Sequence, residues 1–116
     1  MRSASREVVV HSSRSEVHSE ILRFVASAGG DVEAVGDTYI EALFGSKAAT
    51  FFKGAGFAKA DDLPKKLEAY LQDGGGTTSV RITVSPNQSF GTLGAENKYE
   101  EALSAFADRV VTALVT

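Results

Sequence analysis

The chain of 116 residues has no cysteine and no tryptophan, and it has only two histidines. Without cysteine, disulfide bonds, thiol nucleophiles and thiolate metal sites are all excluded. A domain of this length can bury a core without such cross-links. A cysteine-free chain is compatible with a reducing compartment, and we expect a cytoplasmic protein.

Long apolar runs and an excess of positive charge are also missing. No apolar stretch approaches the roughly 20 residues that a membrane-spanning helix needs, and the apolar part of MRSASREVVVHSS is too short for a signal peptide. With 12 basic and 15 acidic residues, the chain lacks the positive field that supplies most non-specific affinity for nucleic acid. We therefore expect neither a membrane nor a nucleic acid as a partner.

Motifs for catalysis or for cofactor binding are not found. The glycines near Lys47 and Lys53 do not have the spacing of a phosphate loop, and GAGF at residues 54–57 lacks the third glycine of a dinucleotide fingerprint. His11 and His18 have no carboxylates at ligand spacing, and no serine lies in a nucleophile elbow. The sequence thus predicts no catalytic residue, no metal site and no cofactor, and it favours a non-catalytic protein.

The most informative segment that is present runs from Leu67 to Val84 and predicts a β-hairpin. Residues whose numbers add up to 151 face each other across a turn at Gly75–Gly76, and a two-glycine turn supplies the positive φ angles that tight hairpins need. The apolar pairs are Leu71 with Val80, Ala69 with Ile82 and Leu67 with Val84. The pairs on the other face are Glu68 with Thr83, Tyr70 with Arg81 and Gln72 with Ser79. This separation of faces fixes the register.

The first arm of this hairpin also fits an amphipathic helix. Behind a capping pair, Asp61–Asp62, four residues follow at helical spacing: Leu63, Leu67, Tyr70 and Leu71. A helix would leave the apolar residues of the second arm without their nearest partners, whereas a strand accounts for both arms. We favour the strand for residues 63–72 and keep the helix as the alternative.

A first strand and a first helix precede this hairpin. Residues 1–6 are small and polar, so we expect a frayed N-terminus, and Glu7–His11 is typical of a strand. The helix begins at Ser13, which forms a capping box with Glu16, and it ends at Gly29–Gly30.

A second hairpin is predicted from Asp31–Val35 and Thr38–Phe44. A two-residue loop would mix its apolar and polar faces, whereas a three-residue loop places Val32 opposite Ile40, so we expect a bulged or longer turn. The second strand is expected to continue past Gly45. A closing helix is predicted from about residue 95 to 114, with a buried stripe of Tyr99, Leu103, Phe106, Val110 and Leu114.

These elements predict a single α+β domain over residues 7–116, with a five-stranded antiparallel sheet and two helices on one face, in the order β-α-β-β-β-β-α. Over roughly residues 7–114, this order resembles the fold group of the TATA-binding protein repeats and the START-type helix-grip domains. The resemblance lies in element order and carries no sequence motif, so no functional residue is transferred from it. It implies a sheet that holds the closing helix.

Phenylalanines supply a candidate ligand site. Four of the seven lie close together in the sequence, at Phe44, Phe51, Phe52 and Phe57, and Phe106 lies on the buried stripe of the closing helix. They would equally serve as ordinary core residues. We hypothesise that they line a cavity for an apolar or amphipathic small molecule between the sheet and the closing helix.

The face of the sheet away from the helices supplies a second hypothesis. Tyr70 and Arg81 form an aromatic and polar pair there. In this interpretation the open face forms a homodimer or docks a protein partner, with Tyr70 and Arg81 in the interface. The first hypothesis predicts a monomer and the second a dimer.

Overall fold

The computed structural model describes residues 3–45, 64–86 and 96–115. Seven elements lie in these ranges: β1 (Ala4–Val10), α1 (Arg14–Ser27), β2 (Asp31–Gly36), β3 (Tyr39–Phe44), β4 (Lys65–Asp73), β5 (Thr78–Pro86) and α2 (Glu96–Val115). The strands form one antiparallel sheet in the order β1-β5-β4-β3-β2. The predicted α+β class, the element order and the five-stranded sheet are confirmed.

The register predicted for the β4–β5 hairpin is also confirmed. Every predicted pair is present, including Leu71 opposite Val80 and Tyr70 opposite Arg81. Leu71 is 4% exposed and Tyr70 is 49% exposed, as expected for neighbours on opposite faces of a strand. The helical alternative for the described part of this segment is therefore wrong.

The turn of this hairpin uses both central glycines in the left-handed region. Gly75 has a φ of 73° and Gly76 a φ of 100°, as a type I′ turn requires. The N–H of Gly74 donates to the carbonyl of Thr77 at 2.8 Å and closes the turn.

β1 is longer at its start than the sequence predicts. It begins at Ala4, opposite Val84, and ends at Val10 rather than at His11. Residues 4–6, for which the sequence predicts fraying, therefore pair with β5. The pairing holds because Ala4 packs against the core.

The β2–β3 hairpin departs from its predicted loop. Its strands close through a two-residue loop, and the irregularity lies instead within β2, where a register shift leaves Glu33 as the bulged residue. Val35 lies opposite Ile40, and Val32 lies opposite Ala42 rather than Ile40. The predicted three-residue loop is wrong, and the bulge is present within β2 rather than in the turn. It places Val32 and Val35 on the helix-facing side, where they are 44% and 56% exposed.

α1 has the predicted boundaries. The hydroxyl of Ser13 accepts the N–H of Glu16 at 3.3 Å and donates to the Glu16 carboxylate at 3.1 Å. At the other end Gly29 adopts a φ of 78°, and the N–H of Gly30 donates to the carbonyl of Val25 at 2.8 Å. This is a Schellman motif, which ends the helix and turns the chain toward β2.

One core fills the space between the sheet and both helices. Its buried side chains are Val10 from β1, Val17, Ile21 and Val25 from α1, Ile40, Ala42 and Phe44 from β3, Leu67, Ala69 and Leu71 from β4, Val80, Ile82 and Val84 from β5, and Leu103, Phe106, Ala107, Val110 and Leu114 from α2. Both helices therefore pack on the same face of the sheet. Of the described helices, neither is at once long enough and apolar enough to cross a membrane.

α2 is fastened to the edge strand β1 by Arg6. The Arg6 guanidinium donates to Asp108 Oδ1 at 3.0 Å and to Ser104 Oγ at 2.9 Å. A charge-assisted contact of this kind fixes where α2 lies along the sheet. The predicted continuation of the strand beyond Gly45 and the side chain of Tyr99 lie outside the described residues.

Candidate functional site

The structure brings together two of the five predicted ligand residues. Phe44 is the last residue of β3 and Phe106 lies in the middle of α2, and their ring centroids are 4.7 Å apart at an interplanar angle of 62°. Phe51, Phe52 and Phe57 lie outside the described residues.

A third phenylalanine, Phe24 of α1, completes what we term the aromatic cluster, formed by Phe24, Phe44 and Phe106. The Phe24 ring centroid lies 5.6 Å from that of Phe106 and 6.4 Å from that of Phe44. These tilted and edge-to-face geometries are those that aromatic rings prefer. The cluster therefore joins both helices to the end of β3.

Gly30 leaves the space that Phe44 occupies. A Cβ atom on Gly30 would lie 2.5 Å from Cε1 of the Phe44 ring and 2.8 Å from two further ring carbons. A side chain at this position would force the Phe44 ring to shift. The end of α1 and the aromatic cluster are thus fitted to each other.

A buried lysine lies beside the aromatic cluster. Lys65 is the first residue of β4 and pairs with Phe44 in the sheet register. Its exposure is 2%, and its Nζ lies 5.1 Å from the centroid of the Phe106 ring. A positive charge over an aromatic face is stabilised by the ring quadrupole. Lys65 places a cation inside an otherwise apolar compartment.

A second cation contacts the same rings from the solvent side. The guanidinium carbon of Arg109 lies 5.4 Å from the Phe106 centroid and 5.9 Å from the Phe24 centroid. Arg109 follows Phe106 by three residues on α2, so both side chains lie on the same side of the helix. The site combines three aromatic rings with a buried and an exposed positive charge.

Sequence reasoning missed Lys65, although a signal for it was present. In β4 the residues Leu67, Ala69 and Leu71 point toward the helices. Lys65 lies two residues before Leu67, so the alternation of the strand puts it on the same face. The alternation therefore predicts an inward lysine. For Phe24 and Arg109 no comparable signal exists, because their contact with the cluster depends on how the two helices dock.

The site lies at the end of β3 and the start of β4. Phe44, Lys65 and Pro86 are neighbours across β3, β4 and β5 in one row of the register. The connection between Phe44 and Lys65 comprises residues 45–64, and the three predicted phenylalanines outside the described residues belong to it.

The predicted interface residues lie on the open face of the sheet. The Tyr70 ring contacts that of Tyr39 of β3 at a centroid distance of 4.9 Å in a tilted geometry, and Arg81 donates to the carboxylate of Glu7 at 2.9 Å. Tyr70 and Arg81 line a shallow groove of about 560 Å³ together with Val9, which is 54% exposed. Arg81 therefore pairs with an acid on β1 in addition to lying opposite Tyr70.

A polar network continues along this open face. The Tyr39 hydroxyl lies 3.3 Å from a carboxylate oxygen of Glu41 and 3.3 Å from one of Glu68, and Lys66 Nζ lies 3.7 Å from Glu41. Burial, and then the negative charges of Glu41 and Glu68, raise the pKa of Tyr39 above its ordinary value. Tyr39 therefore stays a neutral hydroxyl donor between two carboxylates.

Within residues 3–45, 64–86 and 100–115, no three histidine, aspartate or glutamate side chains group in a way that would hold a metal ion. The two histidines have different surroundings. His18 Nε2 contacts the carbonyl of Gly36 at 2.8 Å and links α1 to the end of β2. His11 is exposed after β1.

Comparison with known proteins yields structural likeness alone. No family model matches the chain, and no curated protein matches it by sequence. Among solved structures, TTHA0849 from Thermus thermophilus is similar with a TM-score of 0.54 and 8% identity, over 97% of this chain and 94% of that chain. The aromatase/cyclase Zhui from Streptomyces sp. R1128 has a TM-score of 0.46 and 13% identity, over 97% of this chain and 87% of that one. At such identities the likeness to TTHA0849 concerns the fold, a sheet with packed helices.

Proposed function

We propose that the protein is a non-catalytic module that binds an apolar or amphipathic small molecule between α2 and the sheet. The observation that carries this proposal is the aromatic cluster with its buried lysine, at the end of β3 and the start of β4. Apolar pockets with a few polar groups are the usual form of small-molecule sites.

Three features support this position for the ligand. The rings of Phe44 and Phe106 make an edge-to-face contact between the sheet and α2. The connection that carries Phe51, Phe52 and Phe57 begins and ends at this row of the sheet. Arg6 of β1 binds Ser104 and Asp108, two residues to either side of Phe106, and so holds this part of α2 against the sheet.

Titration with the neutral dye Nile red, followed by displacement with straight-chain alcohols, tests the proposal. We expect saturable binding with one site per chain. Phe106→Leu should weaken it by about tenfold or more, because an aromatic contact is lost. Tyr70→Ser, which removes an aromatic ring from the open face, is the matched control and should leave the affinity unchanged. Absence of saturable binding, or equal losses in the two variants, would contradict the proposal.

The alternative is an interaction protein that forms a homodimer or docks a partner through its open face. The groove lined by Tyr70, Arg81 and the exposed Val9 favours it, because exposed aromatic and apolar groups are typical of interfaces. Sedimentation at micromolar concentration separates the two functions. The alternative predicts a dimer that Tyr70→Ser dissociates, whereas a monomer with a functional dye site contradicts it. A cytoplasmic location and the absence of nucleic-acid and membrane partners stay predictions from composition.

A further inference from the structure

We infer that the open face of the sheet carries a second site, which binds a neutral saccharide in the groove lined by Tyr70, Arg81 and Val9. The groove has a volume of about 560 Å³, which lies within the range of small-molecule sites. It is on the opposite side of the sheet from the aromatic cluster, so this inference is independent of the proposed function. It assigns the open face a small ligand in place of a protein partner.

A short side chain in the middle of three strands creates the groove. Ser79 of β5 lies between Val9 of β1 and Gln72 of β4 in the sheet register, and all three residues are exposed on the open face. Because the serine is shorter than both of its neighbours, a depression remains between them. Leu71 and Val80 also line the groove although their side chains are buried in the core, so strand backbone forms its floor.

Tyr70 supplies an aromatic surface to the groove. It is 49% exposed, and its ring lies against that of Tyr39 at a centroid distance of 4.9 Å. The face of an aromatic ring carries partial negative charge, so it attracts the polarised C–H groups of a sugar ring. Because Tyr39 already positions the Tyr70 ring, little side-chain freedom is lost when a ligand binds.

Polar groups without a partner in the chain surround this ring. In the described part of the chain, the side chains of Thr38, Gln72 and Ser79 make no hydrogen bond, and all three line the groove. A hydroxyl and an amide can each both donate and accept a hydrogen bond. The hydroxyl groups of a sugar have the same dual capacity, so a polyhydroxy ligand matches these side chains.

The charges at the groove cancel. Its two charged lining residues are Arg81 and Glu7, and Nε and Nη2 of Arg81 both contact Oε1 of Glu7 at 2.9 Å. This ion pair leaves no net charge to attract a phosphate or an ammonium group. Nη1 of Arg81 and Oε2 of Glu7 take no part in the contact, so the pair can still donate to and accept from a ligand hydroxyl. The groove therefore favours a neutral saccharide over a nucleotide or an organic acid.

Titration of ¹⁵N-labelled protein with cellotriose, maltotriose and mannotriose, followed by NMR chemical shifts, tests the inference. At least one trisaccharide should bind saturably with a Kd of about 1 mM or tighter. The shifts should centre on residues 7–9, 70–72 and 79–81. Because the ligand is neutral, the affinity should change by less than about twofold between low salt and about 0.3 M NaCl.

Substitutions on the open face test the position of the site. Ser79→Val fills the depression and Tyr70→Ser removes the ring, and each should weaken binding by about tenfold or more. Tyr70→Phe should keep most of the affinity, because the ring remains. Ser5→Val is the matched control for Ser79→Val and should leave the affinity unchanged, because Ser5 is an exposed serine on the same face that does not line the groove.

Absence of saturable shifts with all three trisaccharides, or equal effects of Ser79→Val and Ser5→Val, would overturn the inference. A dimer that Tyr70→Ser dissociates would also overturn it, because the groove would then be occupied by a second copy of the chain. None of these measurements uses the Nile red site. Failure of the saccharide site therefore leaves the proposed function standing, and loss of Nile red binding leaves the saccharide site standing.

Discussion

Replacing Gly30 with alanine should destabilise the protein through the aromatic cluster. The added Cβ would lie 2.5 Å from one carbon of the Phe44 ring and 2.8 Å from two others, well inside van der Waals contact. Phe44 is 3% exposed and is held by Phe24 and Phe106, with centroid distances of 6.4 and 4.7 Å. Any shift of the Phe44 ring therefore disturbs its contacts with Phe24 and Phe106.

The magnitude follows from two opposing effects. Overpacking a filled core costs about 1 to 3 kcal/mol, whereas a glycine-to-alanine change restricts the unfolded chain and returns about 0.4 to 1 kcal/mol. We expect a net loss of about 1 to 2 kcal/mol in the free energy of unfolding. For a domain of roughly this size, that loss lowers the melting temperature by about 4 to 8 °C.

Urea unfolding of four variants tests this reasoning. Gly36→Ala is the matched control, because a Cβ atom added at Gly36 would have nothing within 4 Å and the φ of Gly36 is not positive; this change should be neutral or slightly stabilising. Phe44→Leu alone should destabilise, and the double variant Gly30→Ala with Phe44→Leu should lose less than the sum of the single changes. If Gly30→Ala behaves like Gly36→Ala, or if the double variant is additive, the described fit between Gly30 and the cluster is wrong.

Three further predictions address the hairpin and the open face. Leu71→Ala should lower the free energy of unfolding by about 2 to 5 kcal/mol and Gln72→Ala by less than about 0.5 kcal/mol; equal losses in urea would contradict the register. Gly75→Val, at a φ of 73°, should destabilise by more than about 1 kcal/mol, and an unchanged midpoint would argue against the type I′ turn. Burial, and then two glutamates, raise the pKa of Tyr39. The stability that Tyr39 contributes is therefore complete below about pH 10, the pH at which the phenol of the unfolded chain ionises. This stability is lost as the pH rises further. Tyr39→Phe should remove this alkaline loss and the last phenol to ionise in an absorbance titration; an unchanged titration curve would contradict the raised pKa.

The parts of the fold that were predictable from sequence are those set by neighbouring residues. The β4–β5 register depends on alternation on either side of a two-glycine turn, and all of that information lies within about 20 residues of sequence. The β2–β3 hairpin was harder to predict, because either a longer loop or a bulge brings Val32 to the same face as the apolar residues of β3. The structure contains the bulge, at Glu33.

The candidate site was predictable to a smaller extent. The buried stripe of the closing helix identifies Phe106, and the end of the predicted strand identifies Phe44. Their meeting with Phe24 depends on the docking of two helices on one sheet, which no local pattern encodes. Lys65, in contrast, could be placed from local sequence. The alternation of β4 puts it on the helix-facing side, although a charged residue at the start of a strand is usually exposed.

The pairing of β1 with β5 determines the order in which the sheet can form during synthesis. Ala4 pairs with Val84, 80 positions later in the chain. At about 5 to 20 residues per second, the ribosome needs about 4 to 16 s to supply this partner. Throughout that interval the run Val8–Val10 is an unpaired β-branched segment, a type of sequence that is prone to aggregate. Arg6 and Glu7, immediately before it, are flanking charges of the type that disfavours association of apolar strands.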